Sequence, residues 1–250
     1  MAEFDNQGYT QSDIGSRSTV DAGLRAYMLS VYNYMAIGIG LTGVVAYFTF
    51  MYAVEQTGAG IVLTPFGSMI YSSPLKWVIM FAPLGVVLLF AATSHKMKPA
   101  TAQLVFWGFA VLMGLSLSSI FLRYTGQSIS RVFFVTAASF AALSLYGYTT
   151  KKNLSGWGTF LFMGLIGVII ASIVNIWLQS SALQFAVSTI GVLVFAGLTA
   201  YDTQRIREVY QYVAHDADAV KSAAINGALS LYLDFINMFL MLLSLFGSRE

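Results

Sequence analysis

Long runs of apolar residues, separated by short polar segments, dominate the chain. Each run has about twenty residues or more, the length that an α-helix needs to cross the hydrocarbon core of a bilayer. The runs are unbroken and do not alternate apolar with polar residues, as the strands of a membrane β-barrel would. The pattern therefore predicts seven transmembrane helices, at about 24–52, 75–94, 101–122, 130–149, 157–178, 183–206 and 222–246.

The composition agrees with this pattern. Hydrophobic residues make up 57% of the 250 positions and charged residues only 10%, whereas a soluble domain carries about 25% charged residues. We predict an all-α integral membrane protein, with a polar tail at 1–23 and one seven-helix transmembrane domain at 24–247. The absence of cysteine excludes disulfides, thiolate metal sites and cysteine nucleophiles. The sequence has no basic block of the kind that binds nucleic acid.

The basic residues set the expected orientation. With the N-terminus in the cytoplasm, nine basic residues fall on the inner side and four on the outer side, which satisfies the positive-inside rule. The inner set is Arg17, Arg25, Lys96, Lys98, Lys151, Lys152, Arg205, Arg207 and Lys221, and the outer set is Lys76, Arg123, Arg131 and Arg249. The longest outer segment, Ala53–Pro74, has no charge beyond Glu55, and we expect it to fold back onto the membrane surface.

The last two predicted helices each contain one acid, Asp202 and Asp234. A charged residue inside a bilayer costs at least about 2.5–3.5 kcal/mol, so it suggests a function. A short charged turn at His215–Lys221, centred near position 218, joins the two helices. Because this centre is equidistant from both acids, antiparallel helices would place the two carboxylates at one depth.

The last helix has two contrasting faces. One carries small and polar residues, and the other carries only aliphatic ones. The polar face comprises Gly227, Ser230, Asp234, Asn237, Met241 and Ser244, and the aliphatic face comprises Leu229, Leu233, Ile236, Leu240 and Leu243. We predict that the polar face meets other helices or water and the aliphatic face meets lipid, because unpaired polar groups in lipid are costly. Asp234 should therefore face protein and not lipid.

Two neighbouring carboxylates do not both ionise easily, and they titrate as a unit. Such a pair suits a pH sensor, a proton relay or a cation site. Two alternatives remain open. In the first, the sixth helix ends near Asp202, which then pairs with Arg205; in the second, Asp234 serves packing specificity alone.

A calcium ion takes six to eight oxygen ligands. The two aspartates supply at most four, and Asn237, Ser230 or Thr199 would add only a few. We therefore expect a weak, transient calcium site at Asp202 and Asp234, filled out by water, and no resident cofactor. At the inner end of the second helix, His95 or Lys96 would be able to hold the acids by a charged hydrogen bond. The alternative is that these basic residues only extend to the membrane surface.

Three stretches resemble the Bax inhibitor family, also called the transmembrane Bax-inhibitor-motif family: "LYGYTTKKNLSGWG" at 145–158, "LTAYDTQRI" at 198–206 and "ALSLYLDFINMF" at 228–239. The resemblance implies seven helices with the last one surrounded by the others. It also implies a pH-sensitive calcium leak controlled by an aspartate pair, which by motif is Asp202 and Asp234. Similar bacterial proteins lie in the inner membrane, and some bind a membrane-anchored quality-control protease. In some relatives an arginine at the inner end of the second helix pairs with the aspartates, where this chain has His95-Lys96-Met97-Lys98.

Three other functions compete with a leak channel. A non-transporting regulator would bind other membrane proteins, and a proton-coupled carrier would move a substrate. An intramembrane aspartyl protease also needs two acids, but its Gly-x-Gly-Asp element is absent, since this chain reads Tyr232-Leu233-Asp234. We therefore expect no enzymatic activity. The expected partners are the lipid bilayer, calcium or other cations, and other membrane proteins.

Overall fold

The computed structural model describes residues 6–57 and 60–248, with side chains given for 22–55, 61–94 and 96–248. This part of the chain is almost entirely helical. The elements in order are α1 (Asn6–Ala53), β1 (Val54–Thr57), β2 (Gly60–Leu63), α2 (Pro65–Tyr71), α3 (Leu75–Thr93), α4 (Pro99–Leu117), α5 (Gly126–Thr149), α6 (Ser155–Leu178), α7 (Ser181–Val213) and α8 (Ala217–Phe246). Short 3-10 turns at Ser94–Lys96 and Ser118–Leu122 follow α3 and α4.

Seven helices of the described part are long and apolar enough to cross a membrane. They are Ala22–Ala53, Leu75–Thr93, Pro99–Leu122, Gly126–Thr149, Ser155–Leu178, Ser181–Val213 and Ala217–Phe246. The predicted all-α, seven-helix membrane fold is therefore confirmed. The predicted tail at 1–23 overlaps the first turns of α1, and the side chains of residues 1–21 lie outside the described part.

Successive spans run in opposite directions, so the bundle has two ends. We call the end where α1 enters the bundle the N-terminal side. It carries the loops 94–98 and 150–154 and the turn 214–216. The other end, which we call the C-terminal side, carries residues 54–74, 123–125, 179–180 and 247–248.

The segment between α1 and α3 is more ordered than the sequence indicated. β1 and β2 pair as an antiparallel hairpin, with Val54 opposite Leu63. The helix α2 follows at once, because Pro65 favours a first helical turn and the Thr64 side chain accepts a hydrogen bond from the Gly67 amide at 3.1 Å. We had expected strands nowhere in this chain. The hairpin is too short to be recognised from alternation of apolar and polar residues.

The last helix is central, as predicted. α8 packs against α1, α4, α5 and α7 and is the most buried of the seven spans, whereas α3 and α6 are the least buried. Tyr232 of α8 is fully buried, and its hydroxyl lies 2.6 Å from the Thr42 hydroxyl of α1. The rings of Phe106 and Phe109 in α4 contact Tyr232 edge to face.

The predicted lipid-facing stripe of α8 is wrong. Leu229, Ile236 and Leu243 of the aliphatic face are buried in the bundle. The polar-face residues Ser230 and Asn237 are only half-buried. The reason is that helices surround α8, so that its aliphatic side chains form the core of the bundle instead of meeting lipid.

Close contacts hold α7 in place against its neighbours. A Cβ atom added at Gly147 of α5 would lie 2.2 Å from the carbonyl oxygen of Ala200, so only glycine permits this approach. Gln204 of α7 accepts a hydrogen bond from the Leu154 amide at 2.8 Å and donates one to the Lys152 carbonyl at 2.9 Å. These contacts fix α7 and therefore the position of Asp202.

Candidate functional site between α7 and α8

Contacts along the seam between α7 and α8 define how the two helices are aligned. Near the C-terminal side the Ser188 hydroxyl donates to Ser244 at 3.0 Å. Closer to the turn, the Arg205 guanidinium lies 3.4 Å from the Ser230 hydroxyl. This alignment places Asp202 and Asp234 at the same level, one turn further into the bundle than Arg205 and Ser230.

The turn itself is shorter than predicted. It comprises residues 214–216, and α8 begins at Ala217, so Asp218 and Lys221 are helical and not part of the turn. Asp216 starts the helix early because its side chain accepts hydrogen bonds from the amides of Asp218 at 2.8 Å and Ala219 at 3.2 Å. Asp202 and Asp234 nevertheless lie at a common depth, as expected, because the contacts along the seam align the two helices and the length of the turn does not.

Asp202 is buried and paired with a base. One of its carboxylate oxygens lies 3.3 Å from a guanidinium nitrogen of Arg205, one turn further along α7. The proposed alternative for this residue is therefore half right. The pairing with Arg205 is present, but α7 does not end at Asp202 and continues to Val213.

Asp234 is buried more deeply and has no such partner among the side chains that the structure describes. Its Oδ2 atom is sealed from solvent and accepts no hydrogen bond. The charged groups that act on its carboxyl are Asp202 and Arg205. Burying a carboxylate oxygen without a donor costs several kcal/mol, so an ionised acid at this position is costly to the fold.

An open cavity of about 740 Å³ lies on the N-terminal side of the pair. One wall is formed by Arg205, Ser230, Asn226 and Gly227, and part of another by Ser94, Lys96, Met97, Lys98 and Pro99. Neither Asp202 nor Asp234 lines this cavity. Arg205 and Ser230 therefore stand between the cavity and the two carboxyl groups, and Arg205 is half-exposed to the cavity.

Lys96, one of the two residues predicted as a basic latch, lies at this cavity. Lys96 lines the cavity and is exposed, and within the described residues the ion pair at Asp202 belongs to Arg205. The side chain of His95 lies outside the described part of the chain. Sequence reasoning considered Arg205 only as a partner at a helix end. Its position three residues after Asp202 was the signal that both lie on one face of a continuing helix.

The other residues predicted to add oxygen ligands to a calcium site each make a separate contact. Ser230 contacts Arg205, as described above. The Asn237 amide donates to the Leu233 carbonyl at 2.8 Å, and the Thr199 hydroxyl donates to the Phe195 carbonyl at 2.7 Å. Within the described residues there is no cluster of three or more His, Cys, Asp or Glu side chains that would hold a metal ion.

A chain of hydroxyl groups next to the pair was not predicted. Tyr32 of α1 lies 2.7 Å from Ser144 of α5, and Ser144 lies 2.9 Å from Thr203 of α7. Thr203 directly follows Asp202, so this chain ties α1 and α5 to the segment that carries the acid. Nothing in the sequence spacing indicated which hydroxyl groups would meet.

Comparison with known proteins identifies the family. Residues 24–250 match the family described as "Inhibitor of apoptosis-promoting Bax1". The chain belongs to the Bax inhibitor family. The match covers all seven spans and includes both aspartates, so the resemblance drawn from the three motifs is confirmed.

Relatives of this Bax inhibitor family protein are similar over nearly their whole length. An uncharacterized protein of Caulobacter vibrioides is 47% identical over 100% of both chains. The inner membrane protein YbhL of Escherichia coli is 44% identical over 92% of this chain and 94% of its own. An uncharacterized membrane protein of Streptococcus pyogenes is 34% identical over 97% of both chains. The family and the fold together establish a multi-pass membrane protein.

Proposed function

We propose that this protein is a pH-sensitive calcium leak channel gated by Asp202 and Asp234. One observation carries the proposal. The buried Asp234 has an oxygen without a hydrogen-bond donor, beside a second acid whose basic partner among the described residues, Arg205, is half-exposed to an open cavity. An acid pair separated from the cavity by Arg205 and Ser230 is suited to sensing protons and to admitting a cation.

We place the protein in the bacterial inner membrane with its N-terminus in the cytoplasm. The excess of basic residues on the N-terminal side supports this orientation. The relative from Escherichia coli is named an inner membrane protein. In this orientation the cavity opens to the cytoplasm, and the hairpin of β1 and β2 lies outside.

In the closed state the pair of carboxyl groups holds one proton. Asp202 is the ionised member because Arg205 neutralises it, and Asp234 keeps the proton because an ionised oxygen without a donor would be costly in this buried position. Arg205 also contacts Ser230 of α8, so it bridges the two helices on the side of the cavity. Among the described residues, the charged and titratable groups that line the cavity are Tyr27, Lys96, Lys98, Arg205, Asp216 and Asp218.

The open state forms when the proton held by the pair leaves. Two unit charges 4 Å apart repel by about 4 kcal/mol at an effective dielectric constant near 20. That energy is sufficient to shift a helix pair between two states that differ by a few kcal/mol. Arg205 cannot neutralise both carboxylates, so the repulsion between Asp202 and Asp234 separates α7 from α8 along their seam.

The ionised pair then attracts a divalent cation. Asp202 and Asp234 supply carboxylate oxygens, and water entering from the cavity completes the coordination that calcium requires. The cation competes with Arg205 for Asp202, so Arg205 has to move into the cavity before a cation can reach the pair. With few protein ligands the site is weak, which suits passage better than storage.

We infer that the protein is not an enzyme. An aspartyl protease needs a water molecule between two accessible carboxyl groups. Here Asp202 is held by Arg205, and Asp234 is sealed from solvent. No step of the proposed leak requires a resident cofactor.

The proposal is tested by calcium flux into liposomes that contain the purified protein, measured at a series of pH values. Flux should rise with pH in the wild type. The variants Asp202→Asn and Asp234→Asn should lose this pH dependence. Because only the purified protein is present, the assay also distinguishes a leak from a regulator.

A non-transporting regulator is the second candidate, and the hairpin favours it. β1 and β2 form a two-stranded sheet with both outer edges unpaired, and Ile61 and Val62 on it are exposed. Unpaired strand edges are ready to accept a strand from another protein. If the purified protein shows no calcium flux at any pH, this candidate replaces the leak.

A further inference from the structure

A groove of about 620 Å³ runs along the outside of the bundle between α1 and α5. Its floor is formed by the buried residues Met28, Met35, Phe140 and Ser144. Its rims are formed by the exposed residues Leu29, Ala36, Ala141 and Leu145. The groove is separate from the cavity beside Arg205, and the gating described above does not use it.

The groove is mostly apolar, and the hydroxyl groups in its floor already have hydrogen-bond partners within the protein. Tyr32 and Ser144 both line it, and their hydroxyl groups bond to each other at 2.7 Å. Ser144 also contacts Thr203 behind the floor at 2.9 Å. An occupant of the middle of the groove therefore needs no hydrogen-bonding groups, which fits a hydrocarbon chain.

The dimensions of the groove match one leaflet of a bilayer. Along α1 it extends from Arg25 at the N-terminal side to Ala36, which is roughly 16 Å at 1.5 Å per residue. Half of a hydrocarbon core is about 15 Å thick. An acyl chain that starts at the level of Arg25 would thus end near the centre of the membrane, where the groove ends.

The end of the groove at the membrane surface is basic. Arg25 lines it and is exposed, and Tyr148 lies beside it. The guanidinium of Arg207 donates a hydrogen bond to the Tyr148 carbonyl, and Lys151 and Lys152 directly follow α5. Arginine binds phosphate well because its planar group offers several donors, and basic residues at this level attract anionic lipids.

We propose that the groove between α1 and α5 is a binding site for an anionic phospholipid of the leaflet on the N-terminal side. One acyl chain lies along Met28, Met35 and Phe140, and the phosphate contacts Arg25. Because Tyr32 and Ser144 form the floor and connect to Thr203, the bound lipid also supports the packing of α1 and α5 against α7.

The proposal is tested by native mass spectrometry of the detergent-purified protein with added phosphatidylglycerol or phosphatidylcholine. The wild type should retain phosphatidylglycerol in preference to phosphatidylcholine. Arg25→Gln should lower the retained phosphatidylglycerol by about fivefold, the factor expected for one basic residue near an anionic surface. Ala141→Phe, which fills the groove from its rim, should lower retention of either lipid.

Two matched variants serve as controls. Lys221→Gln removes an exposed charge from the same side of the bundle, away from the groove, and Ala142→Phe adds the same bulk at the neighbouring exposed position, which does not line the groove. Both should bind lipid almost as the wild type does. Equal binding of the two lipids, or wild-type binding by Arg25→Gln and Ala141→Phe, would overturn the proposal. A dimer that disappears in Ala141→Phe would show instead that a second copy of the chain covers the groove.

Discussion

Arg205 lies 3.3 Å from Asp202 and at the same time lines the open cavity, so this side chain lies, together with Ser230, between the buried acid and the cavity. It is also positioned over the ring of Tyr201, with 5.8 Å between the guanidinium carbon and the ring centroid. An ion pair with one exposed partner is weaker than a fully buried one, because solvent screens it. Arg205 is therefore suited to being displaced.

The first prediction concerns this barrier. The protein has no cysteine, so single cysteines can be placed on α8 without other changes. Asn226 lines the cavity, whereas Asn237 lies beyond Asp234, and both are half-buried. In the Asn226→Cys variant a water-soluble thiol reagent should react quickly, and in Asn237→Cys it should react slowly.

Adding Arg205→Gln should accelerate the reaction of Asn237→Cys by about tenfold or more, which corresponds to lowering a barrier by about 1.4 kcal/mol. The reaction of Asn226→Cys should not change. Adding Arg205→Lys instead should give an intermediate rate, because a positive charge remains. Equal rates for Asn237→Cys with and without Arg205→Gln would show that Arg205 does not close the path.

A second prediction concerns the contact between α5 and α7. Gly147→Ala would bring a Cβ atom within 2.2 Å of the Ala200 carbonyl oxygen, and two helix backbones would have to separate. We expect a loss of about 1–3 kcal/mol of stability, the usual cost of overpacking. The midpoint of thermal unfolding in detergent measures this loss of stability. Gly108→Ala in α4 is the control because its Cβ would meet no atom within 4 Å, and a similar midpoint for both variants would refute the close contact.

A third prediction concerns the start of α8. Hydrogen bonds from the backbone N–H groups of Ala219 and Asp218 lower the pKa of Asp216, which lies in the turn outside the membrane-spanning segments. A carboxyl whose pKa is lowered by folding stabilises the protein above its unfolded pKa, about 3.9, and that stabilisation is lost as the pH falls through the lowered value. Asp216→Asn keeps a capping side chain but cannot titrate.

The difference in unfolding midpoint between the wild type and Asp216→Asn should therefore be constant near neutral pH and should change only in the acid range. Asp216→Ala should be less stable than Asp216→Asn at neutral pH, because alanine cannot cap the helix. If the wild type and Asp216→Asn differ by the same amount at acid and neutral pH, the cap does not depend on the ionised carboxylate.

Much of the fold was predictable because its main elements are encoded by long apolar runs in the sequence. Seven apolar runs gave seven spans, and the position of Asp202 and Asp234 in the last two runs gave their common level. The hairpin of β1 and β2 was missed because eight paired residues carry too little periodicity. The buried aliphatic face of α8 was missed because a periodic pattern cannot distinguish lipid from neighbouring helices, since both are apolar.

The partner of the acids was harder to predict for a different reason. His95 and Lys96 were considered because of their membrane side, but the side chain that contacts Asp202 belongs to the same helix. Arg205 contacts Asp202 from the same helix only because α7 continues past Asp202. The polar sequence after Asp202 fits a helix that ends there as well as one that continues. Packing by Gln204 and Ile206 keeps the helix intact to Val213 and so turns Arg205 towards the acid.

The central claim is most directly tested by the pH profile of calcium flux through the purified protein in liposomes, from about pH 5 to about pH 8, a range in which coupled buried carboxyl groups can titrate. The wild type should show flux that increases with pH. Asp202→Asn and Asp234→Asn should each show flux that is independent of pH, whatever its size, because neither retains a shared proton or a repelling pair. Asp216→Asn, which removes an acid outside the pair, should keep the wild-type profile. If Asp202→Asn and Asp234→Asn both keep that profile as well, the aspartate pair is structural and does not gate the channel.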